Sequence, residues 1–455
     1  MEIIPTGIPG LDKILDGGIP RPSTILIAGN PGTGRTTLGI QSLCYASKKG
    51  EKVLYVCPTT KTEDSIREIL SNYDFYEKDL NIRTYNISSV ERDPLTMLVD
   101  LGNIVASLKP DRILIDPVTP IGFGFPEAER RRFMYSLNSA MNDWNAIVYL
   151  TGTMETREMC RSVISDIVDG VIYLSQKIDR VHTDRRLRVM KFCGMSYLSG
   201  EHFFEISDSG VHIYPRMKPL VPESEWSIER VGFGVEELES FMGGGMFRHS
   251  STLLAGNTGT GKTLFGLSFI VDGARKGEPG IISSFEETPE EIRHYAANLG
   301  LDFKELEEKN LVRIQHIPPS EVNACKHATK LLENIDAIGA KRVVLDDISG
   351  LDHAFGDCSK KIDHLSNLIR IFKSKGITSV FISGNMAAGS DVLVSKIPIS
   401  SIVDNLILLR NLEIGNEIKK SLYILKMHGS NHEKRLIEYD IDSEGIHLGE
   451  FLNDM

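Results

Sequence analysis

Residues 256–264 read GNTGTGKTL, and residues 29–37 read GNPGTGRTT, with arginine where the other stretch has lysine. In the pattern G-x-x-x-x-G-K-T, glycines let backbone N–H groups gather around phosphate oxygens, and the helix that follows adds its positive end. Each stretch follows an apolar run, TLLAG or TILIAG, that is typical of a buried strand. The sequence therefore predicts two phosphate-binding loops, each at a strand-to-helix junction.

The two halves of the chain resemble each other well beyond these loops. DRILIDPV at residues 111–118 matches KRVVLDDI at residues 341–348, and further matches follow in the same order along the chain. The period is much longer than the ~20–50 residues of solenoid repeats, so each copy is a whole domain. Three prolines in the polar stretch 214–227 indicate the boundary, and we expect domains at residues 1–219 and 220–455.

Each half alternates short apolar runs with longer amphipathic stretches. In the first half the runs VLYVCP, RILIDP and AIVYLTG are rich in β-forming residues and nearly continuous in apolar character. Strands buried on both faces have this composition, which favours a parallel sheet flanked by helices. The predicted fold class is α/β, with two tandem phosphate-loop domains that each contain a mainly parallel sheet.

The composition limits the class of protein. The chain has 455 residues, of which 41% are hydrophobic and 25% charged, and a net charge of −11. This balance argues against a general nucleic-acid binder, which usually needs a basic face. The six cysteines contain no C-x-x-C pair, as expected for reduced thiols and not for a zinc site. Lacking a secretion signal or an apolar run of ~20 residues, the chain is expected to be cytoplasmic, without a membrane span.

The loop of the second half carries a complete set of residues for a nucleotide and its metal. Lys262 is expected to reach the β- and γ-phosphates, and Thr263 to place its hydroxyl on Mg²⁺. Asp346 ends the apolar run RVVLD and is expected to orient the metal through water. The expected ATP-binding residues of this loop are Gly256, Asn257, Thr258, Gly259, Thr260, Gly261, Lys262 and Thr263.

Two adjacent carboxylates, Glu286 and Glu287, follow another strand-like run in IISSFEETPEEI at residues 281–292. A water molecule that attacks the γ-phosphate needs a base or an orienting acceptor, and a carboxylate supplies it. The alternative is that both are surface acids at a helix start, where negative charge is favoured. The catalytic interpretation is favoured because the same half of the chain contains a complete phosphate loop and the expected metal-orienting Asp346.

Several motifs together are similar to those of one family. They are GIPGLDKILDGGIP before the first loop, GGGMF before the second, FEETPEEI, the two aspartate-ending strands, and KMHGSNHE. On these residues both halves resemble the RecA-superfamily ATPase domain, and nearly the whole chain resembles the double-domain KaiC family of clock-type ATPases. The resemblance implies ring-shaped hexamers with ATP and Mg²⁺ between neighbouring subunits. It also implies Glu286 as general base and Glu287 as its partner.

The chain departs from this family at the subunit interface. In the family a lysine, and an arginine two residues later, reach the neighbour's γ-phosphate from one face of a strand. The lysines are present as Lys191 and Lys426, but Cys193 and His428 stand at the arginine positions. Losing such an arginine costs orders of magnitude in rate, and histidine is only fractionally charged at neutral pH. We therefore expect Lys191, Lys426 and His428 to face ATP, and turnover to be slow.

The first half keeps binding residues and lacks catalytic ones. Thr36 and Asp116 are retained as expected metal ligands, whereas Arg35 replaces the loop lysine. VCPTT at residues 56–60 stands where the second half has SFEET, and no register there supplies a carboxylate. Either this domain binds ATP as structural glue, which Thr36 and Asp116 favour, or its loop is a relic that binds nothing. The expected loop residues are Asn30, Pro31, Gly32, Thr33, Gly34, Arg35 and Thr36.

Two rival functions stay open. One is a DNA-acting recombinase or hexameric helicase, but the basic stretches at residues 129–133 and 180–188 lack interleaved aromatics and are better explained as a solvated face or an edge-strand hairpin. The other is an ATP-gated scaffold ring whose output is the binding of a protein partner. The sequence identifies no partner.

The resemblance also points to self-phosphorylation. In KIPISSIVDNLILL, Ser400 and Ser401 occupy positions that, in the family, accept phosphate from the neighbouring subunit's ATP. The first half has Ser165 and Asp166 in their place, so Ser401 lacks a hydroxyl counterpart and Asp166 carries charge somewhat as a phosphoserine does. The alternative is that both serines only lead into a buried strand.

Overall fold

The computed structural model describes residues 2–159, 162–178, 183–218, 227–298, 300, 302–355, 358–384, 398–414, 417–443 and 445–452. The chain divides into two compact units, Met1–Arg216 and Met217–Met455. The boundary expected between residues 219 and 220 lies outside the described residues.

Strands and helices alternate through most of the first unit. Its strands are β1 Glu2–Ile4, β2 Ile19–Arg21, β3 Ser23–Gly29, β4 Val53–Thr59, β5 Asn81–Asn86, β6 Arg112–Ile115, β7 Ile147–Thr153, β8 Gly170–Ile178, β9 Thr183–Phe192, β10 Glu201–Ser207 and β11 Gly210–Tyr214. Its helices are α1 Leu11–Ile14, α2 Arg35–Lys48, α3 Glu63–Leu70, α4 Ile87–Arg92, α5 Pro94–Leu108, α6 Glu127–Asp143, α7 Thr156–Met159 and α8 Val163–Ile167.

The described strands of the first unit form a nine-stranded sheet in the order β11-β10-β9-β8-β3-β7-β6-β4-β5, beside the small β1-β2 pair. The strands from β8 to β5 in this order pair in parallel, and β9 to β11 extend the sheet as antiparallel strands. The central strand β3 is buried on both faces, because Ile25 and Ile27 pack into one core and Leu26 and Ala28 into the other. This is the reason for its continuous apolar sequence.

The second unit repeats this order of elements. Its strands are β12 Arg230–Val231, β13 Met246–Phe247, β14 Ser251–Gly256, β15 Gly280–Ser284, β16 Val312–His316, β17 Arg342–Asp346, β18 Thr378–Ser383, β19 Asn405–Ile414, β20 Glu417–Met427, β21 Ile437–Asp442 and β22 Gly445–Phe451. Its α-helices are α9 Glu236–Phe241, α10 Lys262–Arg275, α11 Pro289–Asn298, α12 Phe303–Glu308, α13 Ala324–Ile338 and α14 Cys358–Ser374. Short 3₁₀ helices cover Pro319–Glu321, Ile348–Ala354 and Pro398–Ser401.

The two sheets have the same topology. Among the described strands of the second unit the order is β16-β15-β17-β18-β14-β19-β20-β21-β22, which is the order of the first sheet strand for strand. In both units the strand before the phosphate loop lies at the centre, and the loop opens onto the carboxyl edge of the parallel strands. The α/β prediction of two tandem, mainly parallel sheets flanked by helices is confirmed.

A buried arginine begins the same strand in each unit, a feature that the sequence reasoning did not identify. On β6, Arg112 makes two bonds to the Glu51 carboxylate at 2.9 and 3.0 Å. On β17, Arg342 binds Glu278 and Asp272, each at 2.9 Å. Because each guanidinium is fully buried, these partners offset the cost of removing its charge from water.

No helix in the described ranges combines the length and the apolar character needed to cross a membrane.

Candidate active site

The second phosphate loop is shaped by its glycines and tied to a distant strand. Gly259 and Gly261 have φ values of 81° and 82°, a left-handed conformation that disfavours other residues. Thr260 donates its hydroxyl to the Asn257 carbonyl at 2.8 Å, which closes the loop on itself. From β21, the Tyr439 hydroxyl donates to the Thr260 carbonyl at 2.6 Å. The loop is therefore held in place before any ligand binds.

The cation of this loop and the residues expected to bind the metal lie together at its end. Lys262 begins α10, and its Nζ donates to the Asn257 carbonyl at 3.0 Å, so the ammonium is held over the loop. Thr263 follows it, and its hydroxyl is near enough to the Asp346 carboxylate at the end of β17 to lower the pKa of that group. A hydroxyl and a carboxylate side by side beside a phosphate loop fit Mg²⁺, which is usually held by one or two protein oxygens together with substrate phosphates.

Four carboxylates surround this point. The pKa of Asp346 is raised to about 7, mainly by burial and also by the neighbouring charges of Glu287 and Asp347. Burial also raises the pKa of Glu286, with contributions from Asp347 and Glu287. The Ser284 hydroxyl lies 3.4 Å from Glu287 Oε2 and is its donor. The mutual repulsion of these groups is what a dication would relieve.

Asp347 is the member of this cluster that the sequence reasoning missed. It is buried, and its Oδ1 accepts from the backbone N–H and the hydroxyl of Ser349, both at 2.9 Å. These bonds cap the 3₁₀ helix Ile348–Ala354. The signal in the sequence was the doubled aspartate, where the first half has Pro117.

The first phosphate loop has the same backbone closure with a different cation. Thr33 donates its hydroxyl to the Asn30 carbonyl at 2.8 Å, the same contact as in the second loop. Arg35 begins α2, and its Nη1 is buried without a hydrogen-bond partner in the described part of the chain. Burial lowers the pKa of Arg35, and the charge of Asp116 opposes this effect. Asn30, Pro31, Gly32, Gly34 and Thr36 complete this loop between β3 and α2, as Thr258 does between β14 and α10.

Asp116 lies in a different environment from its counterpart Asp346. Its Oδ2 accepts from the Tyr55 hydroxyl at 3.2 Å, and its Oδ1 accepts from the Thr151 hydroxyl. Burial is the main reason that the pKa of Tyr55 is strongly raised, so the phenol stays a proton donor. Thr36 is exposed at the first turn of α2.

Strand pairing fixes which residues of the first unit correspond to the two glutamates. The matching registers begin with the pairs Val53–Arg112 and Gly280–Arg342. Counting along the strands from these pairs, Thr59 corresponds to Glu286 and Thr60 to Glu287. The alignment of residues 56–60 with SFEET had instead placed Pro58 and Thr59 at these two positions. That alignment was wrong because sequence similarity is weak there, whereas the ladder sets the register. No carboxylate stands at either position.

The comparisons with known proteins agree with this geometry. A family model described as "ATPase: KaiC" matches residues 4–218 and again residues 231–452. The chain belongs to the KaiC ATPase family. It is 28% identical over 468 residues to "Circadian clock protein KaiC3" of Synechocystis sp., covering 99% of this chain and 92% of that protein. It is also 28% identical over 469 residues to "Circadian clock oscillator protein KaiC" of Picosynechococcus sp., covering 98% and 89%.

Membership of this ATPase family supports ATPase activity and the binding of nucleotide with Mg²⁺. The family resemblance stated from the motifs is thereby confirmed. Family membership does not show which of the two loops hydrolyses ATP and which only binds it. This division therefore has to be argued from the residues at each loop.

The lysines expected to face ATP lie far from the loop of their own unit. On β20, Lys426 pairs with Leu406, which pairs with Leu253 near the start of β14, whereas the phosphate loop begins after the strand's other end. The Lys426 Nζ donates to the carbonyls of Ser400 and Val403 at 3.2 and 2.7 Å. Burial lowers the pKa of Lys426. Lys426 therefore lies at the opposite end of the central strands from the phosphate loop of its own unit.

The first unit has the same arrangement at this end. The Lys191 Nζ donates to the carbonyls of Asp166 and Val168 at 2.8 and 2.7 Å. Cys193 is exposed two residues later. In the second unit His428 is also exposed, and its Nδ1 lies 3.8 Å from Asp404 Oδ1.

The two serines of the second unit end the 3₁₀ helix Pro398–Ser401. Ser400 is buried, whereas Ser401 is exposed. In the first unit Asp166 on α8 is likewise exposed, and Ser165 before it is half-buried. The two units therefore present either a hydroxyl or a carboxylate at the same exposed position.

The two basic stretches lie in regular elements. Residues 129–133 are part of α6, where Arg130 donates to the Thr119 carbonyl at 3.2 Å. In the other stretch residues 183–188 belong to β9, which pairs with β8 on one side and β10 on the other. Residues 186–188 pair with strands on both sides, whereas residues 183–185 pair with β8 alone among the described strands, so the edge-strand interpretation fits only that part of the stretch.

Proposed function

We propose that this protein is a slow, ring-forming regulatory ATPase in which the second unit hydrolyses ATP and the first holds nucleotide as a structural joint. The observation that carries the proposal is the contrast between the loops. Lys262 lies near Glu286 and Asp346, which in turn lie near Glu287 and Asp347, whereas the equivalent glutamate positions of the first unit hold threonines. The two roles are assigned to residues 220–455 and 1–219, and the site of action to the cytoplasm.

Hydrolysis is proposed to proceed through the residues at the second loop. Thr263 and Asp346 would hold Mg²⁺, which would supply positive charge to the phosphates. Lys262 holds the β- and γ-phosphates in line. Glu286 accepts the proton of the attacking water as its oxygen bonds to the γ-phosphorus and ADP departs, and Glu287 orients Glu286. The raised pKa of Glu286 improves its match to this role as a base.

Ring formation is supported by the position of the interface lysines. Because Lys426 and Lys191 lie at the other end of the sheet from their own loops, they can act on ATP only across a subunit boundary. A hexamer is the state that the family implies. Without an arginine beside either lysine, turnover is slow, which suits a ring whose nucleotide state is read by a protein partner.

Self-phosphorylation of Ser401 extends this proposal. Its support is the exposed hydroxyl at a position where the first unit has the exposed carboxylate of Asp166. Transfer would form an O–P bond at Ser401 and release ADP, with Glu286 of the neighbouring site taking the hydroxyl proton. Intact-mass measurement after long incubation with ATP and Mg²⁺ tests it, with Ser401→Ala as control. An unchanged mass would contradict self-phosphorylation and would leave the proposed ATPase activity unaffected.

The division of labour is tested by matched substitutions at the same loop position. Lys262→Ala should abolish most phosphate release, while Arg35→Ala should leave most of it and weaken the oligomer, as sized by light scattering with and without ATP and Mg²⁺. Equal loss of turnover in both variants would contradict the proposal. Stimulation by single-stranded DNA would favour a recombinase or helicase. An ATP-dependent ring without any turnover would indicate a scaffold.

A further inference from the structure

The charges around the two phosphate loops are balanced in different ways. At the second loop the carboxylates of Glu286, Glu287, Asp346 and Asp347 outnumber the single lysine, and a bound polyphosphate adds further negative charge. The equivalent positions of the first unit are Thr59, Thr60, Asp116 and Pro117. There Arg35 faces one carboxylate. Before nucleotide binds, the first loop thus lacks the excess of negative charge that favours a dication at the second loop.

The contacts of Asp116 also differ from what an Mg²⁺-orienting carboxylate needs. Such a group accepts hydrogen bonds from the waters of the ion, and at Asp116 fixed hydroxyls, those of Tyr55 and Thr151, already occupy one acceptor position on each oxygen. At the Tyr55 position the second unit has Ile282, which donates nothing. The prediction that Thr36 and Asp116 hold Mg²⁺ therefore fits these contacts poorly.

Arg35 provides what the first loop needs in place of a metal. Its guanidinium is half-buried at the start of α2, and Nη1 has no partner within the described residues although it is removed from solvent. A buried unpaired donor of this kind is costly unless a ligand supplies an acceptor. Guanidinium binds two phosphate oxygens at once through its planar fork, so it can pair with an oxygen that the single-point contact of a lysine would leave to the metal.

We propose that the first loop binds the polyphosphate of a nucleoside di- or triphosphate without a divalent cation, with Arg35 filling the charge-balancing role that Mg²⁺ has at the second loop. This inference rests on the proposed function, in which the first unit holds nucleotide. It follows that the first site keeps its nucleotide when free Mg²⁺ falls, while the second site releases its own. The nucleotide that joins subunits at the first unit would then stay bound after the second unit had released the ATP that it hydrolyses.

The experiment measures ATP binding to the full chain by equilibrium dialysis, with either excess Mg²⁺ or excess EDTA. Lys262→Ala leaves the first site to be read, and Arg35→Ala leaves the second. Chelation should change the dissociation constant of the first site by less than about threefold and weaken the second by more than about tenfold. Circular dichroism and gel filtration of both variants confirm that each is folded. If Arg35→Ala does not fold, Arg35→Glu takes its place.

The outcomes separate this inference from the proposed function. ATP bound by Lys262→Ala in Mg²⁺ but lost in EDTA overturns metal independence and leaves the structural role of the first unit intact. No binding by Lys262→Ala in either buffer overturns both. A gain of metal dependence completes the test: Arg35→Lys combined with Thr59→Glu and Thr60→Glu should make the first loop lose ATP on chelation. If that variant still holds ATP in EDTA, the charge argument is wrong.

Discussion

The two units contain the same phosphate loop, at residues 29–37 and 256–264, but different side chains surround it. Thr33 and Thr260 each close their loop through an asparagine carbonyl at 2.8 Å, and both loops lie beside the central strand of sheets with one topology. The differences lie in the strands that flank the loop, where acids have been exchanged for hydroxyl-bearing residues and proline. Loop geometry is thus set by the fold, whereas the chemistry is set by a few side chains on neighbouring strands.

The largest expected effect comes from the candidate base. Glu286→Gln keeps the shape of the side chain and removes its ability to accept a proton, so phosphate release should fall by about 10²–10⁴-fold. The matched change Thr59→Gln in the first unit should leave the rate nearly unchanged. Steady-state phosphate release by both variants measures this difference. A Glu286→Gln enzyme that retains most of its activity would show that the water is activated by another group.

A second difference between the units lies beside β15, the strand that precedes Glu286. In the second unit His327 is fully buried on α13, and its Nε2 lies 2.8 Å from the Ser283 hydroxyl. The buried positions of the two corresponding helices pair as Pro94–Ala324, Met97–His327, Leu101–Leu331 and Val105–Ile335. The first unit therefore has an apolar methionine where the second has a titratable ring.

Burial lowers the pKa of His327 to about 3 and that of His364, which is close to it, to about 4. Between these values and the ordinary histidine value of about 6.5, the unfolded chain binds more protons than the folded one. Stability is therefore retained above pH ~6.5 and lost as the pH falls below it.

His327→Met should remove part of this acid sensitivity. For a pKa lowered to about 3, the linked loss at pH 5 is about 2 kcal/mol, which the variant should recover relative to pH 7. Thermal or urea unfolding of both proteins at the two pH values measures it. In the first unit His202, whose pKa is lowered by burial, contributes with the same sign, so only the difference between variant and parent is informative. Equal pH dependence in both would contradict the assignment.

Much of this architecture could be predicted from the sequence. The apolar runs predicted strands β3, β4, β6 and β7 because strands buried on both faces are mostly apolar, and loop glycines predicted the phosphate sites. The doubled aspartate gave no indication that Asp347 would turn toward Glu286, since this depends on the turn after β17. Likewise the bonds from Tyr55 and Thr151 to Asp116 join three different strands, and only the assembled sheet brings these residues together.

Restoring the arginine that the family has at the subunit interface should accelerate turnover in the second unit only. His428→Arg places a permanent cation two residues after Lys426, where the family has arginine, and should raise turnover by about tenfold through stabilised charge on a neighbour's γ-phosphate. Cys193→Arg makes the same change in the first unit and should not accelerate hydrolysis, because no base stands at that loop. Phosphate release per chain distinguishes the two. Acceleration by Cys193→Arg alone would locate the active loop in the first unit.

The smallest expected effect tests the contact that sets the first loop apart. Tyr55→Phe removes the hydroxyl that donates to Asp116 Oδ2 and leaves the ring in its core. Because this bond is long, at 3.2 Å, and Thr151 still donates to the other oxygen, the cost should be about 1 kcal/mol of local stability. Hydrogen exchange of the β4 and β6 amides should quicken accordingly, with no change at β15 and β17. ATP turnover should be unaffected, since the carboxylates proposed to act in hydrolysis lie in the other unit. A fall in turnover as large as that of Glu286→Gln would mean that the two loops are coupled in catalysis, and the first unit would then be more than a joint.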